Sequence, residues 1–245
     1  MQAPKIIQYG LVGSRGYGVH TPDSDYDYMG VLIEPEEALF GLTEFEQTET
    51  VTEDGETKVY GLKKFIRMVL KGGPNATELL WVKPEQWHEP YTAELRGLRN
   101  KIVSCRTLKA YSAYLDGQIK KLRMGRGSRG EQRPKLVSAY GYDTKFAYHI
   151  IRLGLMGQVL GQTGRLFMPL DEYHIAILKN IREGEWSQDR VLEAATAMRD
   201  HIEFYIQHKA LREEPDRKAV EDWMISVFRR EYGNKSASAS AVCKL

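Results

Sequence analysis

Cysteine is almost absent: the 245 residues hold two, Cys105 and Cys243. That separation gives neither a disulfide framework nor a zinc site built on four cysteines, and a reducing, cytoplasmic setting is the default expectation. No apolar run reaches the ~18 residues that a membrane-crossing helix needs, so no membrane partner is expected. Met1–Lys5 leads straight into a short apolar run without a small-residue cleavage site, which predicts no signal peptide. An excess of one charge is also missing. There are 35 Lys and Arg against 33 Asp and Glu, a net +2, and that balance alone points to neither nucleic acid nor membrane. No G-x-x-x-x-G-K-[ST], G-x-S-x-G or Cys–His signature occurs, and Gly13, Gly16 and Gly18 do not make a G-x-G-x-x-G with an acid at the dinucleotide spacing, which argues against P-loop, acyl-transfer, thiol and dinucleotide chemistry.

With 42% hydrophobic and 28% charged residues, the chain has the makings of one mid-sized globular domain or two small ones sharing a core. The first third reads as α/β. Ile6–Val12 and Tyr26–Ile33 are strand candidates, and Thr48–Thr52 and Thr57–Tyr60 flank a Glu53-Asp54-Gly55 turn as a hairpin. Leu62–Leu70 carries a helical apolar face that Lys71-Gly72-Gly73-Pro74 ends, and Asn75–Val82 is a short helix with Asn75 at its N-cap. From about Lys101 the pattern turns helical, at Thr107–Met124, Asp143–Leu160, Leu170–Arg182, Gln188–His208 (Ser187 capping) and Asp216–Tyr232. The expected layout is an α/β unit over 1–100, a helical region over 101–235 and a disordered Ser/Ala tail over 236–245, with a soft boundary near 84–105 and the chemistry in the cleft between units.

One segment carries a chemical pattern. A strand ends at Gly13-Ser14, a glycine-rich turn with Arg15, Gly16 and Gly18 follows, and after a ten-residue spacer comes Asp25-Tyr26-Asp27-Tyr28. Backbone N–H groups of such a turn can cradle phosphate, and Arg15 is a candidate phosphate contact. In a strand, residues i and i+2 share a face, so Asp25 and Asp27 form a repelling carboxylate pair that a hard cation such as Mg²⁺ would relieve. Two metals on such carboxylates suit phosphoryl chemistry. Further on, Tyr142, Lys145, His149 and Arg152 share one helical face, a cationic stripe suited to a triphosphate, with Ala147, Ile150, Ile151 and Leu155 on the buried side. A surface stripe paired to Asp143 is the alternative.

Leu11-Val12-Gly13-Ser14 and Asp25-Tyr26-Asp27-Tyr28 together resemble the nucleotidyltransferases of the DNA polymerase β superfamily. The fuller Gly13–Gly18 and Pro22–Asp27 wording is similar to a bacterial and bacteriophage branch of predicted nucleotidyltransferases. So are Leu62-Lys63-Lys64-Phe65, Pro74–Trp81, Tyr142–Leu153 and Thr163–Pro169, a resemblance over about residues 6–200. It implies a polymerase β-like α/β (α+β) sheet, two Mg²⁺ or Mn²⁺ ions, and in-line transfer of a nucleoside monophosphate from an ATP-like nucleoside triphosphate, with pyrophosphate leaving. Asp25 and Asp27 would hold the metals, and Gly13, Ser14, Arg15, Lys145, His149 and Arg152 the nucleotide. The superfamily's third carboxylate falls on Glu56 in one reading and on Glu78 in the other.

The acceptor stays open. Lys120, Lys121, Arg123, Arg126, Arg129, Arg133 and Lys135 face a single acid, Glu131, in a glycine-broken stretch that reads as a basic loop. It suits an RNA 3′ hydroxyl, or is simply solvated. A protein or small-molecule hydroxyl is the second option, and a non-catalytic nucleotide-binding or antitoxin-like module the third. Tyr111, Tyr114 and Tyr140, the nearest aromatics, are expected in the core.

Overall fold

The computed structural model describes residues 5–127 and 132–233. Strand β1 (Ile6–Leu11) runs into a one-turn helix, α1 (Gly13–Tyr17), and the chain returns as β2 (Tyr28–Leu32). After α2 (Glu36–Phe40), the hairpin of β3 (Gln47–Thr52) and β4 (Gly55–Gly61) feeds directly into α3 (Leu62–Leu70) and α4 (Pro74–Leu79). A two-residue strand β5 (Gln86–Trp87), α5 (Tyr91–Gly97) and α6 (Arg99–Ile102) complete this part. The five strands lie in the order β3-β4-β2-β1-β5. Only β2 and β4 pair in parallel, with Tyr28 opposite Thr57 and Leu32 opposite Gly61. The expected α/β front is therefore present, with hairpin and α3 where their patterns put them.

The helical part comprises α7 (Cys105–Arg123), α8 (Gln132–Tyr140), α9 (Thr144–Thr163), α10 (Glu172–Arg182), α11 (Gln188–Gln207) and α12 (Arg217–Tyr232). Their starts follow from side-chain caps. Asp143, Asp171, Ser187 and Asp216 each accept a backbone N–H three residues on. Helix α9 is the spine. Gly154, Gly157 and Gly161 lie along the side facing α11, where an added Cβ would meet Met198 Sδ at 2.7 Å, Ile202 Cδ1 at 2.5 Å and Tyr205 Cδ2 at 2.5 Å. Only glycine permits that approach.

Two apolar cores result. One joins the sheet to α3–α6, and the other joins α7, α9, α10 and α11. Trp81 and Met168 pack against both. The cores do not divide the chain at one point near residue 100, because α12 returns to the first, where Val220 and Val227 are fully buried.

Several local expectations change. Strand β2 begins at Tyr28, so Asp25, Tyr26 and Asp27 precede the ladder. Backbone bonds hold them instead: Val12 N–H to Asp27 O at 2.8 Å and Tyr26 N–H to Asp54 O at 2.7 Å. The glycine-rich turn closes into α1, with Gly18 in the left-handed region at its end. Gly73, not Asn75, caps α4, because Pro74 takes the first helical position. The described ends of the basic stretch are helical, residues 120–123 closing α7 and residues 132–135 opening α8, while residues 124–127 leave the helix as a turn. Arg129 and the 236–245 tail lie outside the described residues. Tyr111 is buried as expected, but Tyr114 and Tyr140 are each 43% exposed.

Candidate active site

A cleft of about 610 Å³ opens between the sheet and the helical layer. Gly13 and Ser14 of α1, Asp25 and Asp27 ahead of β2, and Glu56 of β4 line the sheet wall. Lys145, His149 and Arg152 of α9 line the other. The fold thus brings these eight sequence candidates together.

Backbone geometry fixes the first wall. Gly13 has φ +61°, and a Cβ there would stand 2.6 Å from Asp27 Oδ2, so the turn and the carboxylate fit only with glycine. The Glu56 N–H donates to Asp27 Oδ1 at 3.3 Å, tying the parallel strand to the aspartate. Asp25 is exposed and Asp27 half-buried, and among the described residues neither forms an ion pair. Glu56 differs. Lys58 Nζ donates to its Oε1 at 2.6 Å and lies 3.3 Å from Glu49 Oε1. The Lys58 hydrogen bond holds the Glu56 carboxyl below the usual range and raises Lys58. Lys58 was missed in the sequence, although the strand period puts it on the Glu56 face.

Arg15 does not line the cleft. Its Nε and Nη2 donate to Ser24 O at 3.0 and 2.7 Å, Nη2 also to Pro22 O at 3.3 Å, and the guanidinium lies 3.7 Å from the Tyr26 ring centroid. It clamps the turn that leads into the two aspartates.

The α9 face is less cationic than its sequence suggests. Arg152 Nη1 donates to both carboxylate oxygens of Glu78 at 3.1 Å, deep between the layers. Burial works against that charge, but Glu78, Tyr17, Tyr148 and Tyr111 outweigh it and keep Arg152 protonated. Its Nη2 meets His149 Nδ1 at 3.4 Å. Arginine has no acceptor, so Nδ1 accepts and the proton of a neutral His149 sits on Nε2. Burial, then Arg152 and Lys121, push the imidazole down to about 3. Lys145 is exposed and, among the described residues, has no acidic partner. Arg182, also on the cleft wall, donates to Val19 O at 3.1 Å and lies 5.5 Å over the Tyr148 ring.

Of the basic-stretch residues, Lys120 pairs with Asp116 at 2.6 Å, and Arg133 donates to Gly125 O with its Nε 4.0 Å from Asp143. Lys121, Arg123, Arg126 and Lys135 are exposed.

For metals the donor set is mixed. Asp25 and Asp27 are hard-oxygen donors open to the cleft and fit a divalent ion, whereas one oxygen of Glu56 is already held by the Lys58 ammonium. Among the described residues no three His, Cys, Asp or Glu side chains converge as a ready-made cluster. Among them, too, no helix is long and apolar enough to cross a membrane.

A Gly-Ser turn after an edge-paired strand, two aspartates entering the next strand and a parallel third strand carrying an acid define a polymerase β-like nucleotidyltransferase. The chain belongs to the RNA repair pathway DNA polymerase beta family, RlaP, whose model it matches over residues 2–231. A search of curated proteins gives no match. Among solved structures, the nucleotidyltransferase-like protein from Exiguobacterium sibiricum 255-15 is similar at 11% identity with a TM-score of 0.32, over 84% of this chain and 70% of that one. Family membership supports a general nucleotidyltransferase role with a nucleotide substrate, in a family type that commonly uses divalent metals.

Proposed function

We propose that the protein transfers a nucleoside monophosphate from a nucleoside triphosphate to an RNA 3′ hydroxyl. The acceptor oxygen bonds to the α-phosphorus, the bond from that phosphorus to the β-bridging oxygen breaks, and pyrophosphate leaves. The hydroxyl proton goes to Glu56. Asp25, Asp27 and Glu56 would hold divalent ions, Mg²⁺ or Mn²⁺, which when bound neutralise phosphate charge and acidify the acceptor hydroxyl. Gly13 and Ser14 present backbone N–H groups to the triphosphate, Lys145 offsets its charge, and His149 donates from Nε2. Arg15 and Arg152 act indirectly, holding the turn and the imidazole. Positioning and electrostatics carry most of the rate enhancement in such chemistry.

The observation that carries this reading is the meeting of Asp25, Asp27, the Gly13-Ser14 turn and Lys145 in one cleft. RNA as acceptor is supported by the family's description as an RNA repair pathway family and by exposed Lys121, Arg123 and Arg126, with Lys121 near enough to His149 to depress it. The test is incubation with Mg²⁺, each α-labelled triphosphate and total tRNA, or total protein in its place. Label on RNA 3′ ends is expected. Label on protein alone would replace RNA as the acceptor class, and no label on either would remove the transferase reading.

A further inference from the structure

Glu78 sits at the junction of the two layers, 3% exposed, and its carboxylate is held from three other elements. Tyr17, the last residue of α1, donates its hydroxyl to Oε2. Tyr111 of α7 donates to Oε1 at 3.3 Å, and Arg152 of α9 reaches both oxygens. The Arg152 guanidinium also lies 4.0 Å from the Tyr17 ring centroid. Burial pushes both tyrosine hydroxyls well above their ordinary range, so both remain donors.

Helix α1 needs such an anchor. It has five residues, two of them glycine, and no side-chain hydrogen bond at its N-cap, Val12. A single turn is not stable by itself. Its place is set at its far end, where Tyr17 is gripped by Glu78 and Arg152 and its carbonyl accepts from Leu170 N–H at 3.2 Å. Ser14 lies three residues before Tyr17, and Gly13 abuts the Asp27 carboxylate. A shift of Tyr17 therefore moves the segment against the aspartates.

We infer that Glu78 is a positioning residue: through Tyr17 and Arg152 it fixes the Gly13–Ser14 segment against the carboxylates, and it does not hold metal. This rests on the nucleotidyltransferase reading, which assigns the triphosphate to that segment. Both Glu78 oxygens already carry an arginine and a tyrosine, and freeing them would leave Arg152 buried without its counter-charge, a state that strongly disfavours itself. A carboxylate so filled is a strut between layers. Glu78 borders the same cleft as Asp25 and Asp27, but its oxygens are taken, whereas the two aspartates have no cation among the described residues.

The test uses the full chain with Mg²⁺ and inorganic tripolyphosphate, a probe that needs no base identity, read by calorimetry well below the melting temperature. Tyr17→Phe keeps the ring under Arg152 and removes only the hydroxyl. We expect it to weaken tripolyphosphate binding about tenfold, the scale of one hydrogen bond to a charged group. Its melting temperature should stay within about 4 °C of wild type, as one such bond implies at this size. Purely structural packing would move the melting temperature and leave the affinity alone. Glu78→Gln is read separately by Mn²⁺ titration, where wild-type-like binding is expected while Asp27→Asn loses it. Unchanged tripolyphosphate affinity in Tyr17→Phe, or loss of Mn²⁺ in Glu78→Gln comparable to Asp27→Asn, overturns the inference. If wild type transfers no label in the assay above, the transferase reading falls and takes the inference with it. If it transfers label and Tyr17→Phe binds tripolyphosphate as wild type does, or Glu78→Gln loses Mn²⁺, the inference alone falls.

Discussion

On the sheet wall of the cleft, Asp25 and Asp27 face solvent, and no cation pairs with them among the described residues. On the helical wall, Arg152 is matched by Glu78 and His149 is kept neutral by burial and by Arg152, leaving Lys145 as the exposed charge. Both walls carry ionisable groups, yet the two aspartates stay open while Arg152 is matched by Glu78 and His149 is neutralised between the layers. Open like charges are held by backbone, through Val12, Asp54 and Glu56, so their repulsion is available to a ligand. Buried, cancelled charges serve geometry, because breaking one leaves its partner unpaired in a low dielectric. The difference predicts which substitutions damage chemistry and which damage placement.

The sharpest way to break this comparison is at the open wall. Asp25→Ala or Asp27→Ala should cost roughly 10³-fold or more in transfer, the several kcal/mol that a metal site supplies. The fold should survive, since neither side chain closes a buried ion pair. Single-turnover label transfer with a melting curve on the same preparation reads both. Wild-type rates in the double variant would remove the two aspartates from the chemistry.

Next in size is Lys145→Ala. Lys145 being exposed and without an acidic partner among the described residues, its loss should raise the KM for triphosphate about tenfold, the size of one charge-assisted hydrogen bond, with kcat changed much less. Steady-state kinetics over a triphosphate range decide it. An unmoved KM would mean that the helical wall contributes no net charge to the nucleotide.

The open wall was legible in the sequence and the cancelled one was not. Gly13, Ser14, Asp25 and Asp27 lie within fifteen residues, and a strand, a turn and a second strand suffice to bring them together. The Arg152–Glu78 pair spans 74 residues, so helical spacing alone read Arg152 as a free cation. Helical spacing groups Lys145, His149 and Arg152 on the cleft side of α9, but Tyr142 lies ahead of the helix and donates to Trp186 O, and the spacing says nothing of what packs on that face. The strand period puts Lys58 beside Glu56, but the pairing of the two depends on side-chain conformation, which the period does not specify. Helix α8 was hidden by Pro134 and its neighbouring glycines, and the return of α12 to the sheet-side core is a tertiary choice that its own periodicity does not specify.

A smaller effect probes the neutrality of the helical wall. His149 titrates at about 3 in the folded chain, against an ordinary value of about 6.5 when unfolded. Between those values the unfolded chain binds a proton that the folded chain refuses. Stability present above about pH 6.5 is therefore lost as pH falls toward 3. In His149→Gln that loss disappears. The melting temperature of wild type should fall more steeply from pH 7.5 to pH 5 than that of the variant. Parallel curves would show that His149 is protonated in the folded state and that the wall is more cationic than its contacts indicate.

The smallest effect concerns the basic stretch, where the same distinction between matched and open charge applies. Counting residues would credit every cation from Lys120 to Lys135 with a phosphate. The structure commits Lys120 to Asp116 and Arg133 to Gly125, with Asp143 nearby, leaving Lys121, Arg123, Arg126 and Lys135 exposed among the described residues. With ~0.7 of log–log salt slope per single-strand phosphate contact, four engaged cations give a slope of about −3 for RNA binding. Lys121→Ala should reduce the slope by about one contact's share, and Lys120→Ala by much less, because its charge is already answered within the helix. Fluorescence anisotropy with a labelled single-stranded RNA at several salt concentrations separates the two. Equal changes for Lys120→Ala and Lys121→Ala would show that RNA draws Lys120 from Asp116, and that the pairing at this surface yields to the ligand where the Arg152–Glu78 pairing between the layers holds.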